Sequence, residues 1–101
     1  MAYAFESATI LATATESGVI AVPERKAERL VIETPTALTH EVTLYGSING
    51  GISYKAIYSA GSPVVLAANG IHTVTPTKVD HIKFVSAGAE ASDRVFMVKL
   101  A

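Results

Sequence analysis

Histidine is the residue type that could most readily do chemistry in this chain, as a metal ligand or as a general base. The three histidines are His40, His72 and His81, and no two of them have the i, i+4 helical spacing or the i, i+2 strand spacing of a metal clamp. Glu41 follows His40 and Asp80 precedes His81, but neighbours along a strand point to opposite faces of a sheet. We therefore expect surface or strand-end histidines and no metal site.

The serines and the acidic residues form no catalytic pattern either. No serine lies in a Gly-x-Ser-x-Gly elbow, and the steps Gly46-Ser47 and Gly61-Ser62 lie at predicted turns. The acidic residues are scattered singly, so no pair of catalytic carboxylates can be assigned. Phosphate-binding loops, dinucleotide fingerprints and acidic calcium loops are missing from the sequence. The sequence therefore predicts no catalytic residue, no cofactor and no enzyme activity.

Composition narrows the class of protein. The chain has 101 residues, of which 50% are hydrophobic, and this length suits one domain spanning residues 1–101. Eight basic and nine acidic residues leave a formal net charge of -1 without a basic stripe, so we expect no nucleic-acid partner. The first ten residues, MAYAFESATI, lack the basic start of a secretory signal, and no apolar run approaches the roughly 20 residues that span a bilayer. We expect no membrane partner and synthesis in the cytoplasm.

Three features are candidates for an interface. The stretch ERKAER holds Arg25, Lys26 and Arg29 among glutamates, which is typical either of a solvated face or of an electrostatic contact to a partner. Tyr45 and the other tyrosines near it either line a sugar-binding or protein-binding face or pack across strands. Tyr3 and Phe5 belong to residues 1–7, which form either an arm that docks on a neighbouring subunit or the first edge strand. The interface candidates are Tyr3, Phe5, Arg25, Lys26, Arg29 and Tyr45.

The period of the hydrophobic pattern indicates the elements that position these residues. In HEVTLYGS, Val42 and Leu44 fall on one face of a strand, and Thr43 and Tyr45 fall on the other. Residues 52–59, ISYKAIYS, are rich in β-branched and aromatic residues and predict a second strand. The turn Asn-Gly-Gly between them readily adopts positive φ, so the two strands are predicted to form a hairpin.

The same alternation recurs along the rest of the chain. HIKFVS and RVFMVKL read as strands near the C-terminal end, and Asn69-Gly70 marks another tight turn. Residues 23–33 could start with one helical turn after Pro23, but the run Leu30-Val31-Ile32 favours a buried strand. The four prolines lie at the margins of the predicted strands, where they delete no ladder hydrogen bond. Further strands are predicted at residues 8–13, 18–22, 29–33, 64–67 and 71–75.

These observations predict an all-β fold, a single-domain, jelly-roll-like β-sandwich with about eight short, mostly antiparallel strands. Short strands at intervals of about 8 to 12 residues with turn signals between them are typical of this architecture. Cysteine is absent, so the fold must be stabilised by packing alone or by packing together with oligomerisation.

Two segments resemble small virion proteins of tailed bacteriophages. They are LVIETPTALTHEVTLYGSINGGISYKAIYS and the ending VDHIKFVSAGAEASDRVFMVKLA, in which VTLYGSINGG leads to Tyr54 and the step Ala-Ser-Asp-Arg leads to the last strand. Similarity to phage decoration (cement) proteins implies a jelly roll or sandwich, a homo-oligomer that is often a trimer, and attachment to the outside of the capsid. The implied partner is the major capsid protein or another virion protein, and no catalytic residue is carried over.

Three roles follow as hypotheses. The first is a decoration protein on the capsid surface of the virion, present in many copies. The second is a phage tail, neck or fibre module, present in few copies. The third is a carbohydrate-binding sandwich, indicated by Tyr45, Tyr54 and Tyr58 and by the glycine-serine hairpin.

Overall fold

Eleven strands form two antiparallel sheets and one small ribbon in the computed structural model, which describes residues 5–22, 29–75 and 79–100. No helix occurs within these ranges, and so none there is long and apolar enough to cross a membrane. In chain order the strands are β1 (Phe5–Ile10), β2 (Ile20–Ala21), β3 (Leu30–Glu33), β4 (Val42–Ser47), β5 (Lys55–Ala56), β6 (Tyr58–Ser59), β7 (Ser62–Pro63), β8 (Val65–Leu66), β9 (Ile71–Val74), β10 (His81–Ser86) and β11 (Arg94–Leu100).

The order of the strands is that of a jelly roll. Sheet A has the order β1-β11-β3-β9, sheet B has the order β2-β10-β4-β5 with β8 also paired to β4, and β6 and β7 form the ribbon. Strands from the first half of the chain pair antiparallel with strands from the second half: β1 with β11, β2 with β10 and β3 with β9. The innermost strand of this series, β4, pairs with β5 and β8. This nesting is a long hairpin rolled into two sheets, and the predicted jelly-roll-like β-sandwich is confirmed.

The core lies between the two sheets. Phe84 of β10 and Phe96 of β11 stack across it with their ring centroids 4.4 Å apart and their planes inclined by 11°. Each side chain of this kind contributes on the order of 1.5–3 kcal/mol when it is fully buried. The core side chains without exposed surface are Ile10, Leu30, Ile32, Val42, Leu44, Ile82, Phe84, Phe96 and Val98.

The first strand lies earlier in the chain than predicted. It spans Phe5–Ile10, whereas the sequence predicted residues 8–13. A tight turn ends it: the amide of Ala14 donates to the carbonyl of Leu11 at 2.9 Å, and Thr13 has a φ of 71°. The apolar residues beyond Ile10 therefore belong to a turn, which the alternation alone does not reveal.

The predicted single strand over residues 52–59 is wrong, because the chain breaks at Ile57. The amide of Ile57 donates to the carbonyl of Leu44 at 3.0 Å, and its carbonyl accepts from the amide of Val64 at 2.9 Å. This arrangement buries Ile57 in the core and divides the segment into β5 and β6. The predicted hairpin itself is confirmed, since Tyr45 of β4 pairs with Ala56 of β5.

For residues 23–33 the sequence allowed either a helical turn or a strand, and the described part of this segment contains a strand. Leu30–Glu33 forms β3, and Leu30 and Ile32 are buried between the sheets. The proposed helical turn falls on residues 23–28, which lie outside the described residues. β1 begins with Phe5, so residues 5–7 of the proposed arm belong to an edge strand of sheet A, and residues 1–4 lie outside the described residues.

Candidate interaction surfaces

The outer face of sheet A carries apolar side chains that no other element covers in the described chain. Because alternate residues of a strand point to opposite sides of the sheet, strands that bury one set of side chains present the other set outward. The strand register places Phe5, Lys99, Val31 and Thr73 in one outward row, and Ser7, Met97, Glu33 and Ile71 in the next. We call this surface the apolar face.

A shallow depression of about 290 Å³ lies on the apolar face. Phe5 is 62% exposed and Ile71 is 70% exposed, although both are large apolar residues. Glu33 and Lys99 add one charge of each sign. The depression is lined by Phe5, Val31, Glu33, Ile71, Met97, Val98 and Lys99. Contiguous exposed apolar surface of this kind marks an interaction site more often than scattered single residues do.

Residues 48–53, which form most of the loop between β4 and β5, are held by side-chain hydrogen bonds, and we call them the loop tip. Ser47 Oγ donates to Asn49 Oδ1 at 2.8 Å and accepts from the amide of Gly51 at 2.9 Å. Asn49 Oδ1 also accepts from the amide of Ser53 at 3.1 Å, and Asn49 Nδ2 donates to Ser53 Oγ at 2.9 Å. Gly50 and Gly51 have φ of 73° and 88°, which an L side chain adopts only with strain. Side-chain hydrogen bonds and two glycines therefore specify the backbone conformation of the loop tip.

Two isoleucines of the loop tip are exposed to solvent. Ile48 is 78% exposed and Ile52 is 85% exposed. Ile48 also lines a groove of about 300 Å³, to which Lys55, Ile57 and Tyr58 contribute. Neither isoleucine belongs to the buried core, so both side chains are available for contact with a partner.

The outer face of sheet B is polar and aromatic. Tyr45 of β4 lies opposite Lys83 of β10, and both are half-buried. Lys83 Nζ lies 4.5 Å from the centre of the Tyr54 ring and donates to Glu16 Oε1 at 2.6 Å. The lysine therefore makes a cation–π contact with one tyrosine and an ion pair with a glutamate, which ties two loops to the sheet.

Asp80 links the loop tip to the start of β10. Its Oδ1 lies 2.8 Å from His81 Nδ1, and its Oδ2 accepts from the amide of Gly50 at 2.9 Å. The hydrogen bond from His81, and then that from Gly50, lower the pKa of the Asp80 carboxyl below 3.8. The ionised carboxylate is consequently the form that holds the loop tip.

Glu90 organises the opposite end of the sandwich, although its side chain has no exposed surface. Its Oε1 accepts from the amide of Thr39 at 2.8 Å and from Arg94 Nε at 3.0 Å. Its Oε2 accepts from the amide of His40 at 3.0 Å and from Ser86 Oγ at 2.8 Å. One carboxylate thus joins the loop before β4, the end of β10 and the start of β11.

These bonds keep Glu90 ionised despite its burial. Desolvation is the largest single influence and raises the pKa, but the hydrogen bonds from Thr39, Ser86, Arg94 and His40 together outweigh it. The net effect lowers the pKa of Glu90 from 4.5 to about 2. All four carboxylate contacts are made within the chain, so this buried group acts in stability and offers no open position to a ligand.

The structure separates the interface candidates named from the sequence. Phe5 lies on the apolar face, and Tyr45 lies on the outer face of sheet B, which is the other side of the sandwich. Arg29 is exposed just before β3. Tyr3, Arg25 and Lys26 lie outside the described residues.

The histidines make separate contacts. His72 Nε2 donates to the carbonyl of Ala67 at 2.9 Å, His81 contacts Asp80, and His40 is exposed. Within residues 5–22, 29–75 and 79–100, no three His, Asp or Glu side chains converge as metal ligands would.

Sequence reasoning missed the apolar residues that stand out in the structure, namely Ile48, Ile52, Ile71 and Met97. For the loop tip a signal was present, because Ser-Ile-Asn-Gly-Gly-Ile places two isoleucines in a turn where polar residues are usual. For Ile71 and Met97 no such signal exists, since a strand with apolar residues on both faces reads as a buried strand.

The chain matches no protein-family model and no curated protein sequence. Among solved structures it is similar to the SPBc2 prophage-derived protein YomS, with a TM-score of 0.64 at 14% identity over 100% of this chain and 96% of that one. A second similar structure comes from Bacillus endospore appendages, described as disulfide-linked pili, with a TM-score of 0.48 at 16% identity over 99% of this chain and 87% of that one. The end-to-end similarity to the prophage-derived protein shows a shared fold.

Proposed function

We propose that this chain is a structural protein of a tailed bacteriophage virion, and that it decorates the outside of the capsid shell. The observation that carries the proposal is the similarity in fold, over nearly the full length of both chains, to a prophage-derived protein. The resemblance of the loop-tip hairpin and the C-terminal segment to phage decoration proteins supports the same role. The proposed role is non-enzymatic, and the proposed partner is the major capsid protein.

The surfaces of the sandwich support a binding role. Apolar side chains such as Phe5 and Ile71 on sheet A and Ile52 on the loop tip are exposed in the monomer, and burying each against a partner would contribute on the order of 1.5–3 kcal/mol. A protein repeated over a symmetric shell gains avidity from such modest contacts, because each neighbour raises the effective concentration of the next. A cysteine-free module also gains stability from assembly by mass action.

Copy number is the first test. Quantitative mass spectrometry of purified virions of the source phage would count this chain against the major capsid protein. A ratio near a simple fraction of the capsid subunits supports decoration. A handful of copies per particle moves the chain to the tail or neck, and its absence from virions contradicts the virion role altogether.

A binding experiment separates attachment to the outside from incorporation within the shell. Purified chain is added to capsids assembled without it, and the bound fraction is measured after sedimentation. Saturable binding to intact shells is expected. Failure to bind shells from the source phage, while the chain remains folded by circular dichroism, contradicts attachment to the capsid surface.

A carbohydrate-binding role is the second candidate, favoured by the half-buried Tyr45 and Tyr54 at the outer face of sheet B. The ammonium group of Lys83 lies over the Tyr54 ring, so a sugar that stacks on this face of the ring must displace it. A glycan array tests the carbohydrate-binding role. Glycan binding that is lost in Tyr45→Ala and kept in Tyr58→Ala supports this role, and the absence of any glycan binding contradicts it.

A further inference from the structure

Each asparagine of this chain is followed by glycine. The two asparagines are Asn49 and Asn69, and the chain contains no glutamine. Asparagine is a chemically labile residue, and a following glycine makes it more so, because glycine has no Cβ to keep its nitrogen away from the asparagine side chain. Asn49 lies in the loop tip and Asn69 in the turn between β8 and β9, and both are exposed to water. Both steps are therefore candidate sites of spontaneous deamidation.

Deamidation begins with an attack inside the chain and ends with hydrolysis. The backbone nitrogen of the glycine attacks Cγ of the asparagine and closes a succinimide ring, and the side-chain nitrogen leaves as ammonia with the proton that the glycine nitrogen gave up. Water then adds to one of the two imide carbonyls and opens the ring to aspartate or to isoaspartate, in which the main chain runs through Cγ. Nothing is oxidised or reduced, and water is the one co-reactant. The reaction therefore requires a glycine nitrogen that is free to turn toward the asparagine side chain.

At the first step, a carboxylate from another segment holds the glycine nitrogen. The amide of Gly50 donates to Asp80 Oδ2 at 2.9 Å, across 30 residues of sequence. The group under attack is held as well, because Asn49 Oδ1 accepts from Ser47 Oγ at 2.8 Å and from the amide of Ser53 at 3.1 Å. Attack at Asn49 must therefore break the bond to Asp80 and turn the side chain away from its partners.

At the second step, a buried hydroxyl does the same. The amide of Gly70 donates to Thr34 Oγ1 at 3.0 Å, across 36 residues of sequence. The amide of Thr34 donates in turn to the carbonyl of Gly70 at 2.9 Å, and Thr34 is only 5% exposed. The amide of Asn69 donates to the carbonyl of Pro35 at 2.7 Å. The backbone on both sides of the reacting bond is therefore held.

We propose that Asn49-Gly50 and Asn69-Gly70 are deamidation sites that the fold suppresses by holding each glycine amide on a distant side chain, Asp80 for the first and Thr34 for the second. Breaking a hydrogen bond to a charged acceptor slows a reaction about tenfold or more. The carboxylate of Asp80 also opposes loss of the Gly50 proton, because negative charge developing on that nitrogen is repelled. The inference goes beyond the proposed function, since it concerns a covalent change of the chain that needs no partner.

Deamidation of Asn49 would alter the loop tip. It replaces the Nδ2 group, which donates to Ser53 Oγ at 2.9 Å, with an oxygen, and it adds a negative charge to the loop that Asp80 already holds. Isoaspartate also lengthens the main chain between Ile48 and Gly50. The modified loop tip therefore cannot keep all of its present hydrogen bonds, and the exposed Ile48 beside it shifts.

Deamidation rates of the parent and two variants test the inference. The parent, Asp80→Ala and Thr34→Val are incubated at mildly alkaline pH, with circular dichroism to confirm that each is folded, and samples are digested after lysine and arginine. Lys55 separates the two asparagines, so mass spectrometry follows each site in its own peptide. Asp80→Ala should accelerate deamidation of Asn49 about tenfold or more and leave Asn69 unchanged. Thr34→Val should accelerate deamidation of Asn69 about threefold or more and leave Asn49 unchanged, because a hydroxyl is a weaker acceptor.

Asp93→Ala is the matched control. Asp93 Oδ1 accepts from the amide of Ala12 at 2.8 Å, so this variant removes a bond of the same kind from the connection between β10 and β11, and both rates should equal those of the parent. If Thr34→Val does not fold, Asp80→Ala and this control decide the matter alone.

Four results overturn the inference. An unchanged Asn49 rate in Asp80→Ala shows that the carboxylate does not protect this step. A slower rate shows that Asp80 acts as the base that removes the Gly50 proton. Equal acceleration of both sites in Asp80→Ala, or acceleration in Asp93→Ala, shows a general loosening of the fold. Parent protein that deamidates as fast when folded as it does in urea shows that the fold protects neither asparagine.

Discussion

Replacing Glu90 with glutamine should strongly destabilise the fold at neutral pH. The amide is nearly isosteric but keeps only one acceptor oxygen, so it cannot accept the four hydrogen bonds that the carboxylate receives. If the oxygen stays with Thr39 and Arg94, the new NH₂ group faces the amide of His40, and two donors oppose each other in a buried site. Ser86 can rotate to accept from the NH₂ group, but Arg94 loses its charged partner.

Two estimates of the stability lost in Glu90→Gln agree. Removing one partner of a buried ion pair costs about 3–5 kcal/mol. The lowering of the Glu90 pKa from 4.5 to about 2 corresponds to about 3 kcal/mol of stability at pH 7. For a domain of this size, a loss of about 3 kcal/mol lowers the melting temperature by roughly 10–25 °C.

The direction in which the stability of the fold changes with pH also follows from the lowered pKa of Glu90. Because the folded-state pKa of Glu90 is depressed, its contribution is fully present above pH 4.5, and it is lost as the pH falls through the window down to about 2. The stability difference between the parent and Glu90→Gln should therefore be largest near pH 7 and should shrink below pH 4.5.

Urea unfolding followed by circular dichroism at several pH values measures both effects. Glu16→Gln is the control, because that glutamate is exposed and pairs with Lys83 at the surface; such a pair contributes less than about 1 kcal/mol. The reasoning is refuted if Glu90→Gln unfolds at the same urea concentration as the parent at pH 7, or if the difference between them does not change with pH.

Three further predictions concern single positions. Gly46→Ala would place a Cβ 2.9 Å from Ile57 Cδ1, and this overpacking should cost about 1–3 kcal/mol in urea unfolding. Phe96→Ala removes one ring of the stack between the sheets and should cost about 3–5 kcal/mol by the same measurement. The carboxyl carbon of Asp80 should titrate by NMR below pH 3.8, because His81 donates to the ionised form; titration at or above 3.8 would contradict this contact.

Much of the fold could be predicted because strand periodicity is a local property. The alternation in HIKFVS appears unchanged as β10, with Ile82 and Phe84 buried. The Asn-Gly-Gly turn closes the β4–β5 hairpin because only glycine adopts positive φ without strain. The break at Ile57 escaped prediction because it arises from hydrogen bonds to Leu44 and Val64, which depend on how the chain folds back.

The candidate surfaces were harder to predict than the strands. Phe5 was identified from the sequence and lies on the apolar face, but its neighbours Ile71 and Met97 were not. Both are more than 60 residues away from Phe5 along the chain. Pairing of β11 with β1 brings Met97 to the same face, and Ile71 lies across the sheet on the other edge strand, β9. Tyr45 was named with Phe5 as an interface candidate. It lies on the other side of the sandwich, because β4 belongs to sheet B and β1 to sheet A.

Local sequence was enough to predict the all-β class, the β4–β5 hairpin and the succession of short strands that is typical of a jelly-roll-like sandwich, because alternation and turn residues act over a few neighbouring positions. Which strands pair, and which outward faces adjoin, depends on contacts between distant segments of the chain. The tertiary structure also placed Glu90 beside Thr39 and His40, 51 and 50 residues away. The sequence alone presents Glu90 as an ordinary loop residue, but in the fold its carboxylate is buried and ionised, because donors from distant segments converge on it.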